Sequence, residues 1–148
     1  MTIVQTLKNL KATAYLHEDG AVTTSGHLKF GGDSSAVQDL LTNVTAIAAT
    51  GYAFAALRTD GTIVTWGDPD SGGDSSAVQD FLNKVKTIAA TRRAFAALKG
   101  DGTVVTWGDP HYGGDSSAVQ NNLIDIQTII GNEDGFTAIK HDGSEIFW

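Results

Sequence analysis

The string Gly-Gly-Asp-Ser-Ser-Ala-Val-Gln stands unchanged at residues 31–38, 72–79 and 113–120, each copy 41 residues after the last. Asp-Gly pairs keep the same spacing at Asp19-Gly20, Asp60-Gly61, Asp101-Gly102 and Asp142-Gly143, and so do Trp66, Trp107 and Trp148. Counted from Ile47, residues 1–148 read as a single repeat domain with units 6–46, 47–87, 88–128 and 129–148, three full and about half of a fourth. A unit of roughly 20 to 50 residues cannot bury its own apolar face, so such a period means a solenoid, a propeller or a pseudosymmetric β-fold.

One unit read locally narrows the choice. Ala53-Phe54-Ala55-Ala56-Leu57, then Arg58-Thr59-Asp60-Gly61, then Thr62-Ile63-Val64-Thr65-Trp66 is strand, turn, strand, with Gly61 supplying the positive φ of a tight hairpin. The pattern returns at 94–107 and 136–148, and more loosely at 12–25. Ser35 with Gln38, Ser76 with Gln79 and Ser117 with Gln120 fit the S-x-x-Q capping box, which predicts a short helix after each glycine pair. The triplets Val37, Leu41, Val44; Val78, Leu82, Val85; and Val119, Leu123, Ile126 would form its apolar stripe. Ile47-Ala48-Ala49, Ile88-Ala89-Ala90 and Ile129-Ile130-Gly131 then read as short strands whose small residues imply crowding near an axis.

These residues resemble a known family. Ile88-Ala89-Ala90, Ala94-Phe95-Ala96-Ala97-Leu98, Asp101-Gly102, Val104-Val105-Thr106-Trp107-Gly108 and Gly113-Gly114 are similar to the repeat of the regulator of chromosome condensation (RCC1-like repeats). The family's fold is a seven-bladed β-propeller, so the resemblance implies propeller blades, with Trp66 and Trp107 packed between them. The units here are more compact than the family's, Gly-Gly-Asp-Ser-Ser replaces its usual turn, and Thr50, Thr91 or Asn132 stands where it has a glycine. No residue matches a position that would carry over nucleotide-exchange or chromatin-binding activity. The expected fold is thus mostly β with short helices, a β-propeller-like array of about 41-residue repeats; a β-trefoil or β-prism is the alternative and explains the capping boxes poorly.

Two arrangements would complete such an array. Residues 2–6 could pair with the last hairpin to close a four-bladed ring, or two chains could join head to tail. The head-to-tail dimer is favoured, because a final hairpin ending in Ile146-Phe147-Trp148 is an open edge. Ile3, Ile146, Phe147 and Trp148 are the expected chain-closing residues.

Charge and composition exclude several functions. Ten Lys and Arg against 17 Asp and Glu give a net charge of -7, which repels phosphate backbones and anionic lipid at long range and argues against a nucleic-acid partner. With no cysteine there is neither a disulfide nor a thiolate metal site. The first residues form no apolar run of signal-peptide length and no stretch approaches a membrane span, so a soluble chain is expected, with the cytoplasm favoured.

No nucleophile elbow, P-loop, dinucleotide fingerprint or zinc-protease motif occurs, so no enzyme, cofactor or metal is expected. His17, His27, His111 and His141 are not spaced as ligands, and Asp68 and Asp74 suit turn and cap duty better than calcium. Asn43-Val44-Thr45 matches a glycosylation sequon but falls on the expected core stripe and reads as chance.

Equivalent positions that differ between units are where a repeat scaffold can carry specificity. Two loops vary. After the first strand stand Leu10-Lys11, Gly51-Tyr52, Arg92-Arg93 and Glu133-Asp134; before the glycine pair stand Lys29-Phe30, Asp70-Ser71 and His111-Tyr112. Phe30, Tyr52, Arg92, Arg93, His111 and Tyr112 are side chains that anchor interfaces or stack on sugars. Arg92 and Arg93 could also pair with Glu133 and Asp134. The expected function is a non-catalytic module that binds a protein partner through blade loops and self-associates. The alternative is a lectin-like or toxin-associated repeat protein that binds glycans.

Overall fold

The computed structural model describes residues 2–148, which form four three-stranded antiparallel sheets. In chain order the strands are β1 Ile3–Lys8, β2 Ala12–His17 and β3 Val22–Gly26; β4 Val44–Ala49, β5 Ala53–Arg58 and β6 Ile63–Gly67; β7 Val85–Ala90, β8 Ala94–Lys99 and β9 Val104–Gly108; and β10 Ile126–Gly131, β11 Phe136–Lys140 and β12 Glu145–Phe147. Each sheet is a meander with its strands in sequence order, and the first strands β1, β4, β7 and β10 lie beside one another along the array. This is a propeller arrangement, and it excludes the trefoil and the prism. No helix among the described residues is long and apolar enough to cross a membrane.

The sheets run out of step with units counted from Ile47, which stands inside β4. Counted as sheets, the fourth has all three strands through β12, because each cut falls inside a first strand and what the half unit lacks is the linker with the repeated string. β1 pairs with β2, through Thr6 opposite Tyr15 and Lys8 opposite Thr13, so residues 2–6 do not pair with the last hairpin.

The repeated string does not start an α-helix. Residues 35–40 form a 3-10 turn, as do Gln79–Phe81 and Gln120–Asn122. The expected capping box is replaced by a latch one serine earlier. Ser34 Oγ donates to Gln38 Oε1 at 2.7 Å, while Gln38 Nε2 donates to the Val22 carbonyl at 2.8 Å. Ser75 with Gln79 and Ser116 with Gln120 repeat the latch onto the Ile63 and Val104 carbonyls. Thr24, Thr65 and Thr106 complete it, lying 3.0, 3.0 and 2.9 Å from the serine hydroxyls. Ser35, Ser76 and Ser117 instead give their backbone N–H groups to Asp33, Asp74 and Asp115. The string therefore fastens each linker across the exposed edge of the preceding sheet, which keeps that edge from pairing with another strand. The expected helical stripe is split accordingly: Leu41, Leu82 and Leu123 are buried under the turn, whereas Val44, Val85 and Ile126 begin the next strand. Asn43 and Thr45 of the sequon are exposed and only Val44 between them is buried.

The core sits at the junctions between sheets. Phe54 and Trp66 of the second sheet pack on Ala12, Ala14, Leu16 and Val22 of the first. Phe95 and Trp107 do the same for Ala53, Ala55, Leu57 and Ile63. Each indole also donates across the junction: Trp66, Trp107 and Trp148 bond the carbonyls of Gly31, Gly72 and Gly113 at 3.0, 3.1 and 3.1 Å. Gly72 has φ +99, and a Cβ there would run into the Phe95 ring, so glycine is required. Crowding is greatest in the middle strands, where Ala53, Ala55, Ala56, Ala94, Ala96 and Ala97 are fully buried, while Ala48, Ala49, Ala89 and Ala90 of the first strands are only half-buried. In the first sheet Thr13 and Ser25 occupy the places of Phe54 and Trp66, so its outward face lacks the junction pair.

Candidate functional site

Antiparallel hairpins sort the connections onto two rims. The β1–β2, β4–β5, β7–β8 and β10–β11 loops share a rim with the turns Leu28–Phe30, Pro69–Ser71 and Pro110–Tyr112, and the Asp-Gly hairpin turns lie on the other. The residues at 9, 50, 91 and 132 shape the first rim. Asn9 Nδ2 donates to the Phe30 carbonyl at 2.6 Å, Thr50 Oγ1 to that of Ser71 at 2.9 Å and Thr91 Oγ1 to that of Tyr112 at 2.7 Å. These bonds need a side chain where the resemblance expects glycine. They bring the two variable loops together within each unit. Backbone bonds from His27 to Lys11, Asp68 to Tyr52 and Asp109 to Arg93 reinforce the pairing.

The result is a continuous stripe of cations and rings across three units. Lys11 Nζ lies 5.7 Å from the Phe30 ring centre, and Phe30 packs on Tyr52 at 5.0 Å. The Arg93 guanidinium lies 4.5 Å above Tyr52 and 5.8 Å from Tyr112. Phe30 and Tyr112 also rest on the junction cores. Of the residues expected to bind, Phe30, Tyr52, Arg93 and Tyr112 are joined directly. Sequence reasoning missed two members, Lys11 and His27, whose ring meets Phe30 edge-on at 4.9 Å. Lys11 shares the register of Tyr52 and Arg93, and that position was the available signal.

Arg92 and His111 stack on none of the stripe's tyrosine rings. Arg92 lines a hollow of about 600 Å³ with Leu10, Gly51, Asn132 and Glu133, around a ladder of backbone bonds. Leu10 N–H donates to Gly51, Gly51 to Arg92 and Arg92 to Glu133, at 3.2, 2.8 and 3.2 Å. His111 is exposed on its turn with Nδ1 3.2 Å from Asp109 Oδ1, and among the described residues no Lys or Arg reaches a carboxylate within 4 Å. The expected pairing of Arg92 and Arg93 with Glu133 and Asp134 is absent from them; Arg93 spends its cation on tyrosine rings instead. The Arg93 guanidinium, and after it that of Arg92, holds the Tyr52 phenol below the ordinary tyrosine value.

The chain-closing set divides. Ile146 and Trp148 pack inward on the third junction, while Ile3 and Phe147 are exposed. Asp68 accepts the Ser71 hydroxyl at 2.7 Å, and Asp74 accepts the Ser76 N–H at 2.9 Å, so both do turn work.

No family model matches the chain, and no curated protein sequence does. Solved structures do match. The ectodomain of the receptor kinase CR4 from Physcomitrella patens aligns over 100% of this chain and 41% of its own, with TM-score 0.72 and 19% identity. Yeast RCC1 (Prp20), solved bound to Kap60, aligns over 99% of this chain and 43% of its own, with TM-score 0.67 and 18% identity. Human WBSCR16 aligns over 99% of this chain and 47% of its own, with TM-score 0.65 and 20% identity. The chain thus spans less than half the length of these proteins, and its fold is that of RCC1-like β-propeller repeats.

Proposed function

We propose that this chain is a non-catalytic binding module that takes a protein partner on the rim built by Lys11, Phe30, Tyr52, Arg93 and Tyr112. The observation that carries the reading is the stripe itself: side chains that differ from unit to unit meet in one line across three units. Aromatic and arginine side chains held by their neighbours lose little rotamer freedom on association, the usual character of interface anchors. One solved neighbour, yeast RCC1, is described as bound to Kap60, a protein partner.

Glycan binding is the second reading, since tyrosines line the rim. It is the weaker one, because sugar stacking needs an open ring face and Arg93 already covers a face of Tyr52 at 4.5 Å. Selection of displayed random peptides on the immobilised chain, run beside a glycan array, separates the two. The expected result is peptides whose binding is lost in Tyr52→Ala and kept in Arg58→Ala on the other rim. Saturable sugar binding without peptide enrichment would replace this reading with the lectin.

Self-association belongs to the proposal in one form. Glu133 N–H, the last rung of the loop ladder, meets no acceptor among the described residues, and a second copy placed head to tail would offer the Leu10 carbonyl. That copy would present Thr13 and Ser25 to the fourth sheet instead of a Phe and Trp pair, so the contact is weaker than an internal junction. Light scattering over a concentration series is expected to detect a dimer at high concentration; a strict monomer throughout ends this part.

A further inference from the structure

The faces of the stripe's rings are largely spent within the protein. Arg93 covers Tyr52, and Phe30 and Tyr112 lean on the junction cores. Polar groups remain open to solvent there: Arg92 is exposed, and Arg93, Tyr52 and Tyr112 are half-exposed. Neither arginine is held by a carboxylate among the described residues, although the chain carries 17 acidic residues against 10 basic ones. Arg93 is fixed in place, and Arg92 is carried on the same tied loop. The Arg92 carbonyl accepts the Gly51 N–H at 2.8 Å, which ties the Arg92-Arg93 loop to the Gly51-Tyr52 loop, and the Tyr52 ring orients the Arg93 fork. A cation stacked on an aromatic face keeps its in-plane N–H groups free for bidentate bonds to a planar anion.

We infer that Arg92, Arg93 and the Tyr52 hydroxyl form an anion-recognition site for the carboxylates of an acidic, extended polypeptide segment. The inference rests on the protein-binding reading and specifies the partner's chemistry. The lowered Tyr52 phenol is consistent with two converging cations. Glu133 in the hollow and Asp109 beside the Arg93 loop bound the site on either side. They direct the segment along the Lys11 to Arg93 sector, away from the acidic fourth unit.

The test is fluorescence anisotropy with a fluorescein-labelled octaglutamate, and with octaglutamine and octalysine as controls. The octaglutamate should bind with steep salt dependence, and Arg93→Ala should weaken it by about tenfold. Arg93→Lys, which keeps the charge and loses the fork, should recover only part of that loss, and Arg58→Ala and Lys99→Ala on the other rim should leave binding unchanged. The inference is overturned if octaglutamate binds no better than octaglutamine, or if the other-rim variants weaken it as much as Arg93→Ala does. If displayed peptides select on the rim but show no acidic enrichment, this inference falls while the protein-binding reading stands; if none select, both fall.

Discussion

The sheet junctions and the loop rim are built from the same repeats, yet they treat repetition in opposite ways. At the junctions, Phe95 and Trp107 copy Phe54 and Trp66, and Gly72 and Gln79 copy Gly31 and Gln38. On the rim, the position of Lys11 becomes Tyr52, Arg93 and Asp134, and that of Phe30 becomes Ser71 and Tyr112. A junction residue answers to packing and to hydrogen bonds that recur at every step, so one solution serves three times. A rim residue answers to its neighbours in the stripe, which differ from unit to unit. Identity therefore marks where the fold is held together, and divergence marks where the chain is free to specialise.

The largest effect that can break this comparison is at a junction. Trp107→Ala removes a buried indole, its tilted ring contact with Phe95 and its bond to Gly72, and should cost about 4 kcal/mol in urea unfolding. A loss under about 1 kcal/mol would mean that the indole does not hold the junction. Gly72→Ala comes next, at roughly 3 kcal/mol, because the new Cβ meets the Phe95 ring and the backbone sits at φ +99. Gln79→Ala should cost about 1 to 2 kcal/mol, since it leaves the Ile63 carbonyl without its side-chain partner and the Ser75 hydroxyl with Thr65 alone. Ser76→Ala is the internal control. It keeps the backbone bond to Asp74, so a larger loss there than in Gln79→Ala would restore the capping box over the latch.

Acid has the smallest expected effect. Hydrogen bonds from Thr62, Thr103 and Ser144 lower the carboxyls of Asp60, Asp101 and Asp142, and those from Ser35, Ser76 and Ser117 lower Asp33, Asp74 and Asp115. A carboxyl lowered on folding contributes stability that is fully present above its unfolded value, about 3.9. That contribution is lost as pH falls through the lower folded value. Thermal melts should thus be flat from pH 7 to about 5 and fall below about 4. The triple variant Asp60→Asn, Asp101→Asn, Asp142→Asn should show a shallower acid decline; an equal decline would remove the hairpin-turn carboxylates from the explanation.

The hairpins were legible in the sequence because Asp-Gly turns flanked by β-branched residues are a local signal. The tryptophan period carried the junctions for a similar reason, helped by the family resemblance. The linker was misread because two adjacent serines both lie near a glutamine. What selects Ser34 over Ser35 is Thr24, ten residues back on the neighbouring strand, a long-range contact that no local pattern reports. The rim was half legible. Variation between units marked Phe30, Tyr52, Arg93 and Tyr112, but Arg92 and Arg93 are indistinguishable as a dipeptide until the loop stacks Arg93 on the rings and leaves Arg92 at the rim of the hollow. Lys11 escaped notice because a lone lysine in a divergent first unit looks like ordinary surface.

On the proposed reading, the divergent rim positions bind and the repeated junction positions hold the fold. Calorimetric titration of a rim-selected peptide against the wild type and against Arg93→Ala, with urea unfolding of both, tests it most directly. Binding should weaken by about tenfold with stability unchanged within about 0.5 kcal/mol. Undiminished binding by a fully folded Arg93→Ala, or a stability loss as large as that of Trp107→Ala, would contradict it.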